Sequence, residues 1–304
     1  MGKKTYDSEF EYINCNLCGT NDADDYMEIS GFKIVKCRNC KLIYVNPRLK
    51  QKSLHKIYNK EYYKNPAFNG TKSCLYGYIE YLKEKNFITS TFQNRLEQIE
   101  KYSKVGKLLD VGCAFGFFLE LARKNGWDVY GTEISEDAYK YAKYNLKLPV
   151  INKTLEKTKF KNGNFDVVTI FDVIEHLTKP QETLREIRRI LKPNGLIVVT
   201  TPDIGSITAR ILGKNWEEVK RVREHIYFFS RHTLKNMLES NGFKVLRTES
   251  AGRHFSVKLA IKRGKLYNKK LFSLIEKFSD IFNLKNKKIY IDPHYKMTMY
   301  ARKI

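Results

Sequence analysis

Four cysteines stand as two pairs, Cys15-x2-Cys18 and Cys37-x2-Cys40, with eighteen residues between the pairs. Each pair can present two thiolates from one tight turn. Four thiolates close a tetrahedral shell around one ion, so the spacing predicts a structural zinc site with no open position for chemistry. Gly19 suits the first turn because glycine tolerates positive φ. Disulfides are the rival reading, disfavoured if the chain resides in a reducing cytoplasm. Cys74 and Cys113 have no such spacing and read as small apolar residues.

A second set combines acids, glycines and histidines. In "LLDVGCAFGFFLE", Leu108 to Glu120, an apolar run ends at Asp110 and passes through Gly112, Ala114 and Gly116. That spacing brings backbone close to a ligand and keeps an acid at the mouth. A dinucleotide site would want a third glycine where Phe117 stands. Glu133 ends the next run, "WDVYGTEIS", where a carboxylate can accept hydrogen bonds from two ribose hydroxyls. Of six histidines, His176 follows the fourth run in "DVIEHL" and His225 lies in "VREHIYFFS" beside Glu224. Histidine is the usual general base near neutral pH.

These residues need a frame. From Lys107 on, short apolar runs alternate with helical patterns: "KLLDVG", "GFFLELARKNG", "WDVYGTEIS", "SEDAYKYAKYN", "PVINKT", "FDVVTIFDVIEH" and "GLIVVTTPD". Ser135 reads as an N-cap, and Thr178-x-x-Gln181 as a capping box for "PQETLREIRRIL". The alternation predicts an α/β fold with a doubly wound, mainly parallel sheet, whose ligands sit beyond the carboxyl ends of the strands. "GFKVLRTES" and "YKMTMYARKI" read as further strands, giving seven in all. Between them a helical insertion over about 252–292 carries Tyr267, Leu271, Leu274, Ile275, Phe278, Ile281 and Phe282 as a stripe flanked by lysines. Such a helix packs as a lid or lies on an anionic membrane. Upstream, the organisation reads as a zinc module over 1–48 and a helical, aromatic connector or lid over 49–104, with a loop from Asn65-Pro66 to Asn69-Gly70. The larger domain follows over 105–304. In the connector Tyr78, Tyr81, Leu82, Ile88 and Phe92 fall at helical spacing, so its tyrosines could also cover a binding site.

The run "LLDVGCAFGFF", the acid in "YGTEIS", "FDVVTIFDVIEHL" and "LKPNGLIVVTTPD", in that order, resemble the class I S-adenosylmethionine-dependent methyltransferases over roughly Gly106 to Asp203. The resemblance implies a Rossmann-like methyltransferase fold and S-adenosylmethionine as cofactor. By position it implies that Asp110, Gly112, Ala114 and Gly116 cradle the methionine end, with Ala114 in place of a more usual glycine. Glu133 and Ile134 would take the ribose, Leu155 and Glu156 would flank the adenine, and Phe171 and Asp172 would lie beneath the sulfonium. The segment from Glu224 through "YFFSRHTLKNMLESNGF" is similar to one in zinc-containing sugar methyltransferases, where a Glu-His pair serves proton abstraction. Glu224 and His225 match that pair, and His176 is a further candidate base. Those enzymes carry an additional C-terminal domain that the 304 residues do not include.

Composition narrows the partners. Hydrophobic residues make up 42% and charged residues 29%, as in a globular protein. No apolar stretch reaches a membrane span, and "MGKKTYDSEF" has neither a secretory h-region nor the Ser or Thr that myristoylation wants at Tyr6. The expected location is the cytoplasm. The net charge of +23 favours acidic partners, although abundant Lys, Asn, Ile and Tyr together fit a genome-wide composition bias. The expected acceptor is a small molecule, anionic or a nucleotide-linked sugar, methylated on oxygen or carbon. The Asn-Pro-Pro-Tyr and Pro-Cys motifs of base methylation are absent, which disfavours nucleic-acid bases. An RNA methyltransferase and a non-catalytic zinc scaffold stay as alternatives, peripheral membrane contact stays open, and the oligomeric state is not encoded.

Overall fold

The computed structural model describes residues 9–57, 78–265 and 267–304. Tyr6, the Asn65–Gly70 loop and Cys74 lie outside the described residues.

The N-terminal part is built on five short strands: β1 (Phe10–Glu11), β2 (Ala23–Ile29), β3 (Phe32–Cys37), β4 (Ile43–Val45) and β5 (Arg48–Leu49). β2, β3 and β4 form an antiparallel meander, and β1 pairs with β5. Phe32 and Ile34 are buried on one face of β3, and Val35 and Cys37 on the other, where Lys33 at the strand's start stays exposed.

The larger sheet contains β6 (Lys107–Val111), β7 (Asp128–Thr132), β8 (Val150–Ile151), β9 (Phe165–Phe171), β10 (Leu191–Pro202), β12 (Phe243–Ser250) and β15 (Lys296–Lys303). Their order is β12-β15-β10-β9-β6-β7-β8, with β10 through β8 parallel and β15 antiparallel to both its neighbours. The expected seven-stranded, mainly parallel, doubly wound sheet is therefore present. The central strands are nearly continuous apolar runs, as strands covered on both faces must be. The chain moves outward from β6 through β7 to β8, then returns to the other side of β6 as β9. The carboxyl ends of β6 and β9 thus form the switch point where ligands bind such sheets.

Two connections differ from the sequence reading. Helix Pro180–Ile190 begins with Pro180 in its first turn, and Lys179 rather than Thr178 is its N-cap, with no side-chain cap. Gln181 donates instead to the carbonyl of Asn16 in the first cysteine turn, so a tertiary contact displaces the local capping box. Ser135 occupies its N-cap position, yet its hydroxyl makes no cap bond and its backbone N–H donates to Glu133. A complete capping box exists elsewhere, between Ser230 and Thr233 at the start of helix Arg231–Glu239.

β11 (Tyr227–Phe228) leaves the larger domain and pairs antiparallel with β4, so the small sheet reads β11-β4-β3-β2. The cysteine-bearing sheet and the segment after His225 are one continuous hydrogen-bonded unit. In the insertion, β13 (Arg253–Ser256) pairs with β14 (Lys288–Ile291), enclosing helices Val257–Gly264 and Lys269–Ile281. Among the described residues no helix is long and apolar enough to cross a membrane.

Candidate functional site

A cleft of about 1020 Å³ opens over the carboxyl ends of β6 and β9. That is at the upper end of small-molecule sites, roughly 300–1,000 Å³, and leaves room for a nucleoside cofactor with an acceptor beside it.

Its floor is the β6 turn. Asp110 is buried, and Thr169 Oγ1 of neighbouring β9 donates to its carboxylate at 2.7 Å. Burial, reinforced by Glu133, pushes this carboxyl up to about 7. Gly112 has φ +73°, and a Cβ there would lie 2.5 Å from Val173 Cγ2. Gly116 has φ +77°, and its Cβ would lie 2.6 Å from Leu148 Cδ1. Both glycines answer to protein packing. Of the run, Gly112, Cys113 and Ala114 line the cleft, and Gly116 is the N-cap of helix Phe117–Lys124. Ala114 adopts the left-handed turn itself, at φ +47°.

Glu133, at the end of β7, accepts from Ala114 N at 2.8 Å and from Ser135 N at 2.7 Å. Its carboxylate therefore braces the β6 turn while facing the cleft, and burial raises its pKa. Ile134 is exposed at the rim, and Leu155 and Glu156 line the far side. Glu156 accepts a hydrogen bond from the Thr183 hydroxyl. The connector closes the cleft from above: Tyr81, Ile88 and Phe92 line it, and Tyr81 stacks on Phe117 with ring centroids 5.5 Å apart. Cys113 is buried, in keeping with a small apolar residue.

Beyond β9, Phe171 and Asp172 meet two cations that the sequence reading missed. The Arg95 guanidinium lies 4.8 Å from the Phe171 ring centroid, and Lys296 Nζ lies 2.8 Å from Asp172 Oδ1. Burial works against ionisation of Asp172, but Lys296 and Arg95 hold its carboxyl down to about 2. A signal for Arg95 existed, since it falls with Ile88, Thr91 and Ile99 on the buried face of helix Lys85–Glu100. Lys296 carried none, because only the antiparallel placement of β15 brings it here.

Glu175, His176 and His225 converge on the acceptor side, their candidate ligand atoms all within 4.8 Å of one another. The two imidazoles meet edge-on with centroids 4.6 Å apart. His176 Nδ1 lies 2.9 Å from the Glu224 carbonyl, so this nitrogen carries the proton and Nε2 keeps its lone pair. Burial lowers the His176 pKa to about 4 despite the opposing Glu224 charge. His225 is 2% exposed, lines the cleft and has no hydrogen bond at either ring nitrogen. Burial, then Arg221, His176 and Lys296, drive its pKa down. Glu175 accepts from Thr201 Oγ1 at 2.9 Å through one oxygen, while its other oxygen has no partner. Burial and the Asp172 charge push this carboxyl up to about 8. Such donors could hold a divalent cation or move a proton; the Lys296 and Arg221 charges weigh against a cation. Glu224 is wholly buried, accepts from Arg221, and does not line the cleft.

The cysteines converge as well. Cys15 and Cys40 sulfurs are 3.4 Å apart and Cys18 and Cys37 sulfurs 3.5 Å apart, with all four within 4.8 Å of one another. A disulfide needs about 2.05 Å, whereas four thiolates at roughly 2.3 Å from a shared zinc sit about 3.8 Å apart. The donor set fits zinc. Arg48 ties this module to the cleft, donating to Glu11 at 2.9 Å, the Thr178 carbonyl at 2.9 Å and Tyr227 OH at 2.7 Å.

Residues 78–248 match a family model described as a methyltransferase domain. Over 174 residues the chain is 28% identical to an uncharacterized protein of Methanocaldococcus jannaschii, covering 50% of this chain and 67% of that protein. Over 126 residues it is 29% identical to a ubiquinone biosynthesis O-methyltransferase of Escherichia coli, covering 40% and 50%. The chain thus spans about half the length of that relative. A SAM-dependent methyltransferase structure from Thermotoga maritima superposes with TM-score 0.51 at 18% identity, covering 75% of this chain and 95% of that one. Another from Archaeoglobus fulgidus gives 0.50 at 22%, covering 74% and 99%. At these identities the structural likeness is one of fold.

Proposed function

The chain belongs to the methyltransferase-domain family, and from that premise we propose that it is an S-adenosylmethionine-dependent methyltransferase acting on a small, anionic, sugar-type acceptor with His225 as proton acceptor. The observation that carries this reading is the His225 imidazole: it lines the cleft, is buried, and makes no hydrogen bond, with Nδ1 facing the Glu218 carboxylate at 3.6 Å and Nε2 without a partner. Leaving such atoms unpaired is costly, and an acceptor hydroxyl or acidic C–H placed there supplies a partner.

When bound, the cofactor supplies an electrophilic methyl group on a sulfonium. Glu133, with Ile134 beside it, would take the ribose hydroxyls with the carboxylate that also fixes the Ala114 turn. Asp110 and the Gly112–Ala114 backbone, which line the cleft, would hold the methionine end, Leu155 and Glu156 would flank the adenine, and Phe171 with Asp172 would lie at the sulfonium. Methyl transfer needs chiefly an in-line nucleophile held close, so these residues work by positioning. His225 then takes the acceptor's proton while His176, fixed by the Glu224 carbonyl, sets its ring against it. Glu224 acts through Arg221 and its own backbone rather than as the base. Of the cations that line the cleft, Lys296 is paired with Asp172 and Arg221 with Glu224, and Arg253 and Arg263 from the insertion side are the charges that favour an anionic acceptor. Zinc on Cys15, Cys18, Cys37 and Cys40 would hold the small sheet that carries β11.

Calorimetric titration with S-adenosylhomocysteine, with Glu133→Ala as control, tests the cofactor half. Affinity should fall at least about tenfold in the variant, the worth of one charge-assisted bond. Methyl transfer to a panel of nucleotide-linked sugars, run beside RNA, tests the acceptor. Methyl incorporation into RNA alone would remove the sugar reading.

A further inference from the structure

Helix Lys269–Ile281 is inside out. Ser279 is its buried residue, while Leu271, Leu274, Ile275, Phe278, Ile281 and the following Phe282 are 38 to 74% exposed. Their spacing places them on one face, the stripe that an amphipathic helix ordinarily buries. Isolated exposed apolar residues are common, but a contiguous stripe marks an interaction surface. Ile207 and Ile211 on helix Ile207–Leu212 are exposed as well, at 73 and 78%. Ile211, Tyr267 and Ile291 line the cleft, so this apolar surface borders the acceptor's entrance.

Charge decides what covers it. Residues 253–292 contain eleven Lys and Arg against three acidic residues, a net +8 of the chain's +23. Two of the three acids are already paired, Glu276 with Lys265 and Asp280 with Lys285. Lys270 and Lys277, seven residues apart, edge the stripe, and Lys269, Lys287 and Lys288 stand exposed near its ends. A second copy of the chain would set one +8 surface against another, and the repulsion disfavours a two-fold pair. An anionic bilayer satisfies both features at once, with apolar side chains among the acyl chains and lysines at the headgroups.

We propose that the 267–291 insertion is a docking surface for an anionic lipid bilayer, with the apolar face of helix Lys269–Ile281 lying in the interface plane and the cleft opening beside it. The proposal does not depend on the identity of the acceptor, and it can fail while the enzyme reading stands.

The test is flotation of the full chain with vesicles of phosphatidylcholine containing phosphatidylglycerol, and with phosphatidylcholine alone. The wild type should float with the anionic vesicles and bind neutral ones at least about tenfold more weakly. Leu274→Asp with Phe278→Asp should abolish flotation and leave S-adenosylhomocysteine binding unchanged, because both positions face solvent. Phe278→Trp should shift its emission to the blue on anionic vesicles, against the constant signal of buried Trp127 and Trp216. Three results would overturn the proposal: no binding of the wild type, binding indifferent to the aspartates, or a wild-type dimer that they convert to monomer.

Discussion

The backbone of Ile226 joins Val45 to Glu175: its carbonyl accepts from Val45 N at 3.0 Å, and its own N–H donates to the Glu175 carbonyl at 3.0 Å. The residue after His225 is therefore clamped between the cysteine-bearing sheet and the turn that presents Glu175 and His176. The four-cysteine cluster at one end and the proposed proton acceptor His225 at the other are joined by a few hydrogen bonds, while Glu133 and the β6 turn stand on separate strands.

Removing the zinc proposed for the four cysteines should therefore separate two properties. Stripping the metal, or Cys37→Ser, should lower turnover at least about tenfold by displacing β11 and His225, since small misplacements of positioned groups are expensive. Affinity for S-adenosylhomocysteine should stay within about threefold. Metal content, calorimetry and turnover on one preparation decide the matter. Cofactor affinity that falls in step with turnover would mean that the module supports the whole domain.

Asp110→Asn should stabilise the fold at alkaline pH. The folded pKa, about 7, lies above the unfolded value of about 3.9, so the favourable contribution of the protonated carboxyl is complete below pH 4 and is lost as pH rises through 7. Asparagine keeps an acceptor for Thr169 without a charge to bury. The variant should match wild type near pH 4 and exceed it by roughly 4 kcal/mol at pH 8, with weaker cofactor binding. Urea unfolding at both pH values checks this, and an equal gap at the two would refute it.

Much of this site was readable from the chain because its acids and glycines punctuate strands. Asp110 and Glu133 each end an apolar run, and a parallel sheet brings such ends together. The paired cysteines carried their meaning in local spacing. What escaped depends on distant chain. Lys296 reaches Asp172 across 124 residues through the order of the sheet, and β11 joins β4 in a module nearly two hundred residues away. The Thr178–Gln181 box failed for the same reason, since Asn16 offered Gln181 a tertiary partner. Glu175, by contrast, stood beside His176 in "DVIEHL" and could have been singled out as an acid next to a candidate base.

Lys296→Met should expose how far Asp172 relies on one partner. Lys296 is buried but the Asp172 side chain is 35% exposed, so water screens the charge left behind and losing the lysine should cost about 1–3 kcal/mol, less than for a fully buried pair. The depressed Asp172 pKa contributes stability that is present above pH 4 and lost as pH falls toward 2. The Lys296→Met deficit should accordingly shrink in acid, and Asp172→Asn in that background should recover about half of it. Additive effects in the double-mutant cycle would show that the pair is not coupled.

The base assignment gives the last prediction. His225→Ala should lower kcat about 10²–10⁴-fold, the usual range for losing a general base, with S-adenosylhomocysteine affinity within about twofold. An imidazole whose pKa is driven below 6.5 by burial and by Arg221 stays neutral in mild acid. The His225 acid limb of the wild-type kcat/KM profile should therefore lie well below 6.5, where an ordinary histidine would lose half its activity, and apart from the limbs of Asp110 and Glu175 at higher pH. Arg221→Gln removes a cation that depresses the His225 pKa and should move that limb upward. A profile unmoved in Arg221→Gln, or full turnover in His225→Ala, would take His225 out of the proton transfer.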